Sequence, residues 1–159
     1  MPSMQLTEIK LIIMDIDGVL TDGSITYLDD KEVKKFNVYD GLGVKKAQQN
    51  GIECGVISGR SSGANSVRMK ELGISLVYQG ISNKLEIYEE IKQKQGLTDE
   101  EIVYIGDDVN DLDVLKKVGF ACSVQNGIDE VKNVCNYVAE RKGGDGAVRE
   151  IIEYVLSNR

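Results

Sequence analysis

At 159 residues, with 42% hydrophobic content and a single proline, the chain has the length and composition of one globular domain, 1–159, and not of a disordered protein. Its 26 acidic and 19 basic residues leave a net charge of −7, which disfavours nucleic acid and anionic membranes as partners; no apolar run reaches membrane-spanning length, so a soluble cytoplasmic protein is expected. With no histidine, acid/base chemistry near neutral pH falls to Asp, Glu, Lys, Tyr or Cys.

In chain order, apolar runs of strand length alternate with segments whose apolar residues recur at helical spacing. The run 9–14 (IKLIIM) opens the series and leads into Asp15 and Asp17. The segment 24–37 breaks the rhythm. It reads as two short strands around Asp29, Asp30 and Lys31, a β-hairpin flap standing over the end of the first strand. Asp22 is expected to shape the turn into that hairpin. A helix is expected over 41–50, a strand over 52–58, a helix over 63–72, a strand over 74–78 and a helix over 84–95. Strands at 101–105 and 120–124 bracket a helix at 111–118, and Thr98 with Glu101 fits only a short turn. Gly51, Gly73, Gly96 and Gly119 each follow a helical pattern and suit the left-handed position that ends a helix. The stretch 140–159 gives a glycine-rich loop and then an amphipathic helix from about Ala147. Cys54, Cys122 and Cys135 lie in or near apolar runs without metal-type spacing and read as reduced core thiols. Regular β-α alternation with short connections implies an α/β fold, a doubly wound parallel sheet with helices on both faces.

Ligands bind such sheets beyond the carboxyl ends of the strands. The first strand delivers Asp15 and Asp17 there, the second Ser58, Gly59 and Arg60, and the fourth Asp107, Asp108, Asn110 and Asp111. Five carboxylates on one low-dielectric rim repel strongly unless a cation joins them. With oxygen ligands only, Mg²⁺ is the best match, and it keeps positions for phosphate oxygens. One aspartate can then attack phosphorus to give an aspartyl-phosphate. Asp17, two residues on, can protonate the leaving oxygen and later deprotonate water. Lys84, Arg60, Arg68 and Lys45 are the cations placed near that rim. Each residue also has a plainer reading: a solvated turn for the Asp-x-Asp pair, exposed helix charges for the cations, a helix cap for Ser58, a connector for the glycine-rich loop.

The stretches DIDGVLTDG (15–23), ISGR (57–60), Lys84 and GDDVND (106–111) resemble, in order and placement, the four motifs of haloacid dehalogenase-like phosphatases. NVYDGLGVK (37–45), Arg60, Arg68 and ERKGGDGAVRE (140–150) are similar to the branch without a large cap domain. That branch includes phosphatases of 3-deoxy-D-manno-octulosonate 8-phosphate and of nine-carbon ulosonate 9-phosphates. The resemblance implies that Asp15 is nucleophile and metal ligand and that Asp17 is acid/base and metal ligand through its backbone carbonyl. It makes Asp107 the third Mg²⁺ anchor, with Asp108 and Asp111 in support. Ser58 would hold phosphoryl oxygens and Lys84 would neutralise the charge shared by nucleophile and phosphate. Implied substrate contacts are Asp17, Asn37, Asp40, Gly41, Lys45, Arg60, Arg68 and Lys84, with Lys45 standing where relatives carry arginine. The implied reaction is hydrolysis of the eight-carbon sugar acid phosphate, or alternatively of a nine-carbon one. The branch also implies a homotetramer in which the hairpin and the glycine-rich loop close neighbouring sites.

Two other classes are weighed against this reading. A signalling receiver domain is also a doubly wound protein with an acidic Mg²⁺ pocket, but its acceptor aspartate follows the third strand, where this chain has VYQG (77–80). A catalytically silent scaffold has no need of Asp15, Asp17, Lys84 and Asp107 together.

Overall fold

In the computed structural model, which describes residues 6–159, the chain begins with β1 (Leu11–Met14), a hairpin of β2 (Thr26–Leu28) and β3 (Lys31–Val33), and α1 (Val38–Gln49). It continues through β4 (Glu53–Ile57), α2 (Gly63–Glu71), β5 (Leu76–Tyr78) and α3 (Lys84–Gln95). Then come β6 (Ile102–Ile105), α4 (Leu112–Lys117), β7 (Phe120–Ser123), α5 (Asp129–Lys132), β8 (Tyr137–Val138) and α6 (Ala147–Ser157). Six strands form one parallel sheet in the order β5-β4-β1-β6-β7-β8. The chain winds outward from β1 in one direction and then the other, so a crevice opens where β1, β4 and β6 end side by side.

Side chains alternate across the sheet and split the core in two. Ile12 and Met14 of β1 face Val44 and Ala47 of α1, Met69 of α2, and Val148, Ile151, Ile152 and Val155 of α6. Leu11 and Ile13 join the other face with Tyr88 and Ile91 of α3, Val114 and Leu115 of α4, and Val131 of α5. Buried on both faces, β1 reads as an unbroken apolar run because nothing polar is tolerated on either side. Three of the helices start on side-chain caps: Asn37, Ser62 and Asn83 accept from the backbone N–H of Tyr39, Ala64 and Glu86. Ser62, and not Ser58, therefore caps α2.

The hairpin forms as the sequence implies. Asp29 and Asp30 take φ of 49° and 64°, the left-handed pair of a two-residue turn, and β2 pairs antiparallel with β3. Among the described residues nothing larger stands over the sheet. Gly119 departs from expectation, since it is not among the left-handed residues. It is small because a Cβ there would sit 2.5 Å from both Asp99 O and Glu100 Cα. Helix α5 and strand β8 had no sequence signal, because four and two residues are too few to show a period.

Candidate active site

The site is built on Asp15, the first residue beyond β1. It is 6% exposed, its Oδ1 accepts from the N–H of Ile16 at 2.7 Å, and the Lys84 ammonium lies 3.1 Å from the same oxygen. Lys84 opens α3 and is buried, so its charge must be matched locally; Asp111 does this at 2.9 Å. Burial alone would lower the Lys84 pKa, but the facing Asp15 and Asp111 carboxylates hold it above the ordinary lysine value. Asp111 is saturated: Oδ1 accepts from Lys84 and from the Tyr104 hydroxyl at 2.7 Å, and Oδ2 from the N–H groups of Asp107 and Asp108. It supports the site and has no oxygen to spare for an ion.

Asp107 differs. Its Oδ1 is buried without a hydrogen-bond partner, and its carboxylate lies within 4.8 Å of those of Asp15 and Asp111. Burial first, then the neighbouring Asp15 and Asp111, pushes the Asp107 carboxyl well above the ordinary range; burial and Asp111 raise Asp15 against the pull of Lys84. Two acids that cannot both ionise cheaply, one with an orphaned oxygen, are a donor set that fits a hard divalent cation. The loop after β1 is shaped to the same purpose. Gly18 has φ +86°, and a Cβ on it would lie 2.0 Å from Asp107 Oδ2. Thr21 Oγ1 accepts from the N–H groups of Gly18 and Gly23, and Asn126 Nδ2 donates to the carbonyl of Gly18.

The cleft above these groups, about 150 Å³, is lined by Asp15, Asp17, Arg60, Asp107, Asp108 and Asn110. A wider cleft of about 600 Å³ between Tyr39, Arg141, Arg149 and Glu153 contains none of the clustered carboxylates. Ser58 is fully buried at the end of β4, where its hydroxyl donates to Arg60 O and accepts from Arg60 N, folding the 58–60 turn. Asp108 caps the short turn at Val109 and stands at the exposed edge of the cleft. Asp22 accepts from the N–H of Ser24, the turn-shaping role expected of it.

The implied substrate contacts divide. Arg60 reaches the cleft but pairs with Glu32 of the hairpin. Asn37, Gly41 and Arg68 come together. Arg68 donates to Asn37 O at 3.3 Å and stacks 5.8 Å from the Phe36 ring, in space that a Cβ on Gly41 would take. Asp40 does not face the cleft. It is 1% exposed and accepts from the N–H of Arg149, capping α6, whose own N-cap Gly146 has no side chain to offer. Burial pushes its carboxyl up to about 6. Lys45 is not brought to the rim either. It sits eight residues, about 12 Å, along α1 from Asn37, with its ammonium beside Gly73 at the far end of α2. The glycine-rich loop, expected to close a neighbour's site, packs on its own chain: a Cβ at Gly143 would meet Gly18 O at 1.9 Å.

One residue lining the cleft and one beside it were not singled out from sequence. Asn110 had only its place in the GDDVND cluster to mark it, and Lys34 had no signal at all. Lys34 leaves β3 with its side chain 1% exposed and its ammonium 2.8 Å from Asp17 Oδ1. The receiver alternative fails on geometry, because β5 leads into Gln79 and Gly80 with no acceptor aspartate.

Known proteins resemble the chain in sequence and in fold. The haloacid dehalogenase-like hydrolase family matches residues 64–151. The 3-deoxy-D-manno-octulosonate 8-phosphate phosphatase KdsC of Escherichia coli K12 is 39% identical over 150 residues, 93% of this chain and 79% of that protein. The crystal structure of the Moraxella catarrhalis 3-deoxy-D-manno-octulosonate 8-phosphate phosphatase, in complex with magnesium, phosphate and KDO, superposes with a TM-score of 0.94. It is 42% identical, over 97% of this chain and 89% of that one. The cobalt-bound Haemophilus influenzae enzyme gives a TM-score of 0.93 at 38% identity, over 96% and 90% of the two chains.

Proposed function

The chain belongs to the haloacid dehalogenase-like hydrolases, and from that premise we propose that it is a Mg²⁺-dependent phosphatase that hydrolyses 3-deoxy-D-manno-octulosonate 8-phosphate to the free sugar acid and phosphate. The observation that carries the chemistry is the buried oxygen of Asp107, unpartnered beside an Asp15 that Lys84 already holds. The choice of sugar is supported by what the relatives at about this identity act on.

Asp15, Asp107 and the backbone carbonyl of Asp17 would hold the metal. Bound there, Mg²⁺ supplies positive charge to the two acids and to the phosphoryl oxygens. Asp15 attacks phosphorus as the bond to the sugar oxygen breaks, and Asp17 gives that oxygen its proton. An aspartyl-phosphate on Asp15 results. Asp17 then takes a proton from water, whose oxygen displaces Asp15 from phosphorus. Lys84, locked by Asp111, faces the oxygen that becomes bonded to phosphorus and offsets the charge that builds there. Ser58, Asn37, Gly41, Arg60 and Arg68 are the residues this reading assigns to phosphate and sugar.

The reading extends to a homotetramer in the cytoplasm. Its support is a hairpin that exposes Ile25, Tyr27, Leu28 and Val33, and three cysteines that remain unpaired. The net charge of −7 leaves room for a small anionic substrate as the partner, which needs only the local positive charge that Lys84, Arg60 and Arg68 supply, and no described helix is long and apolar enough to cross a membrane. Phosphate release from a panel of eight- and nine-carbon ulosonate phosphates, with and without EDTA, tests the assignment. Faster turnover of a nine-carbon ester would replace the substrate, and turnover surviving chelation would refute the mechanism. Gel filtration at the mass of a monomer would remove the tetramer.

A further inference from the structure

The β-hairpin sends one cation into the site that no motif marks. Lys34 has a side chain only 1% exposed, and its ammonium donates to Asp17 Oδ1 at 2.8 Å. It lies 3.6 Å from Glu32 Oε2, and the other oxygen of Glu32 meets Arg60. An ammonium this buried is costly to desolvate and is retained where a partner charge needs it. Its partner is the residue that must pass the proton. Among the described residues no other hydrogen bond holds the Asp17 carboxylate, which sits one residue before the left-handed Gly18.

We propose that Lys34 is the positioning residue for Asp17, itself anchored by Glu32 and Arg60, a role that rests on Asp17 being the acid and base of the reaction. Lys34 occupies Oδ1 and so fixes the plane of the carboxylate. Oδ2 is left to give its proton to the sugar oxygen as the phosphorus–oxygen bond breaks, and later to take one from the attacking water. The hairpin thereby serves the site of its own subunit, through an ion-pair chain running Asp17, Lys34, Glu32, Arg60.

Leaving-group dependence tests this directly. A sugar phosphate leaves as an alkoxide and needs the proton, whereas p-nitrophenolate departs without it. Lys34→Met is expected to lower kcat/KM on the alkyl ester by about ten- to a hundredfold, through kcat with KM little changed. On p-nitrophenyl phosphate the same variant is expected to stay within about threefold of the parent in kcat/KM, the quantity compared throughout because it reports formation of the aspartyl-phosphate and not the later hydrolysis that both esters share. Lys34→Arg is expected to recover part of the loss. Equal losses on both esters, a rise in KM alone, or no loss would overturn the proposal. Asp17→Asn, run alongside, separates the two levels. If Asp17→Asn shows the selectivity and Lys34→Met does not, the lysine's role fails alone; if Asp17→Asn lacks it, the acid/base assignment fails first and the lysine's role with it. Should Lys34→Met not fold, Glu32→Gln, which keeps the lysine and loosens its anchor, is expected to give a smaller loss of the same selectivity. Equal losses on both esters, or none, in Glu32→Gln would overturn the proposal as well.

Discussion

Replacing Gly18 with alanine asks how closely the loop after β1 is fitted to the metal site. Two penalties arise from one methyl group. The backbone at φ +86° lies in the left-handed region, which costs an L-residue about 1–2 kcal/mol. The added Cβ would also sit 2.0 Å from Asp107 Oδ2, where ordinary contact begins at 3.4 Å, so the carboxylate must withdraw by more than an ångström. The loop cannot easily give way instead, because Thr21 and Asn126 hold Gly18 by its N–H and its carbonyl. A displacement of that size in a catalytic group costs about 10²-fold in rate, and a disturbed metal ligand about 10- to 100-fold in metal affinity. The assay is initial phosphate release against Mg²⁺ concentration, with urea unfolding in parallel. Gly18→Ala is expected to lose about 10²-fold in kcat/KM, to need about 10- to 100-fold more Mg²⁺ for half-maximal rate, and to lose about 1–2 kcal/mol of stability. A variant within about twofold of the parent in rate and Mg²⁺ dependence would refute the fit between Gly18 and Asp107.

Lys84→Met is expected to lower kcat by about 10²–10³-fold, since it removes the one ammonium among the described residues that faces Asp15; a variant keeping a tenth of the activity refutes that role. Mg²⁺ affinity, followed by thermal shift, is expected to rise between about pH 5 and 8 by up to about tenfold per unit for each proton displaced, because Asp15 and Asp107 hold protons above the ordinary range until the ion replaces them. A pH-independent affinity would contradict the raised acids. Asp40 holds its proton up to about pH 6, later than in the unfolded chain, so its contribution is fully present below the ordinary 3.8 and is lost as pH rises through about 6. Asp40→Asn is expected to remove a decline of about 2–3 kcal/mol over that interval in pH-dependent unfolding, and an unchanged slope would show that Asp40 is not its source.

Asp15, Asp17 and Asp107 were legible because a buried strand admits nothing polar until it ends, so acids gathered at strand ends announce themselves. Lys84 was legible only by order, since an isolated lysine at a helix start looks like any surface lysine. The hairpin could be read from Asp29 and Asp30, two residues that tolerate positive φ between short apolar runs. The contact that Asp40 makes was hidden for a physical reason: it caps a helix that begins more than 100 residues later, which no local pattern encodes. The tight fit of Gly143 was hidden in the same way: its smallness is demanded by Gly18, far off in sequence. Lys34 resembles Lys31 and Lys35 in sequence, and only the fold distinguishes the one whose side chain turns inward onto Asp17.

The most direct test of the central claim is to mix enzyme, Mg²⁺ and 3-deoxy-D-manno-octulosonate 8-phosphate, quench in acid within a turnover, and map the phosphorylated peptide by mass spectrometry. One phosphoryl group on Asp15, absent with EDTA and absent in Asp15→Asn, is the expected result. Phosphate released at full rate by Asp15→Asn, or a phosphoryl group found on any other residue, would contradict it.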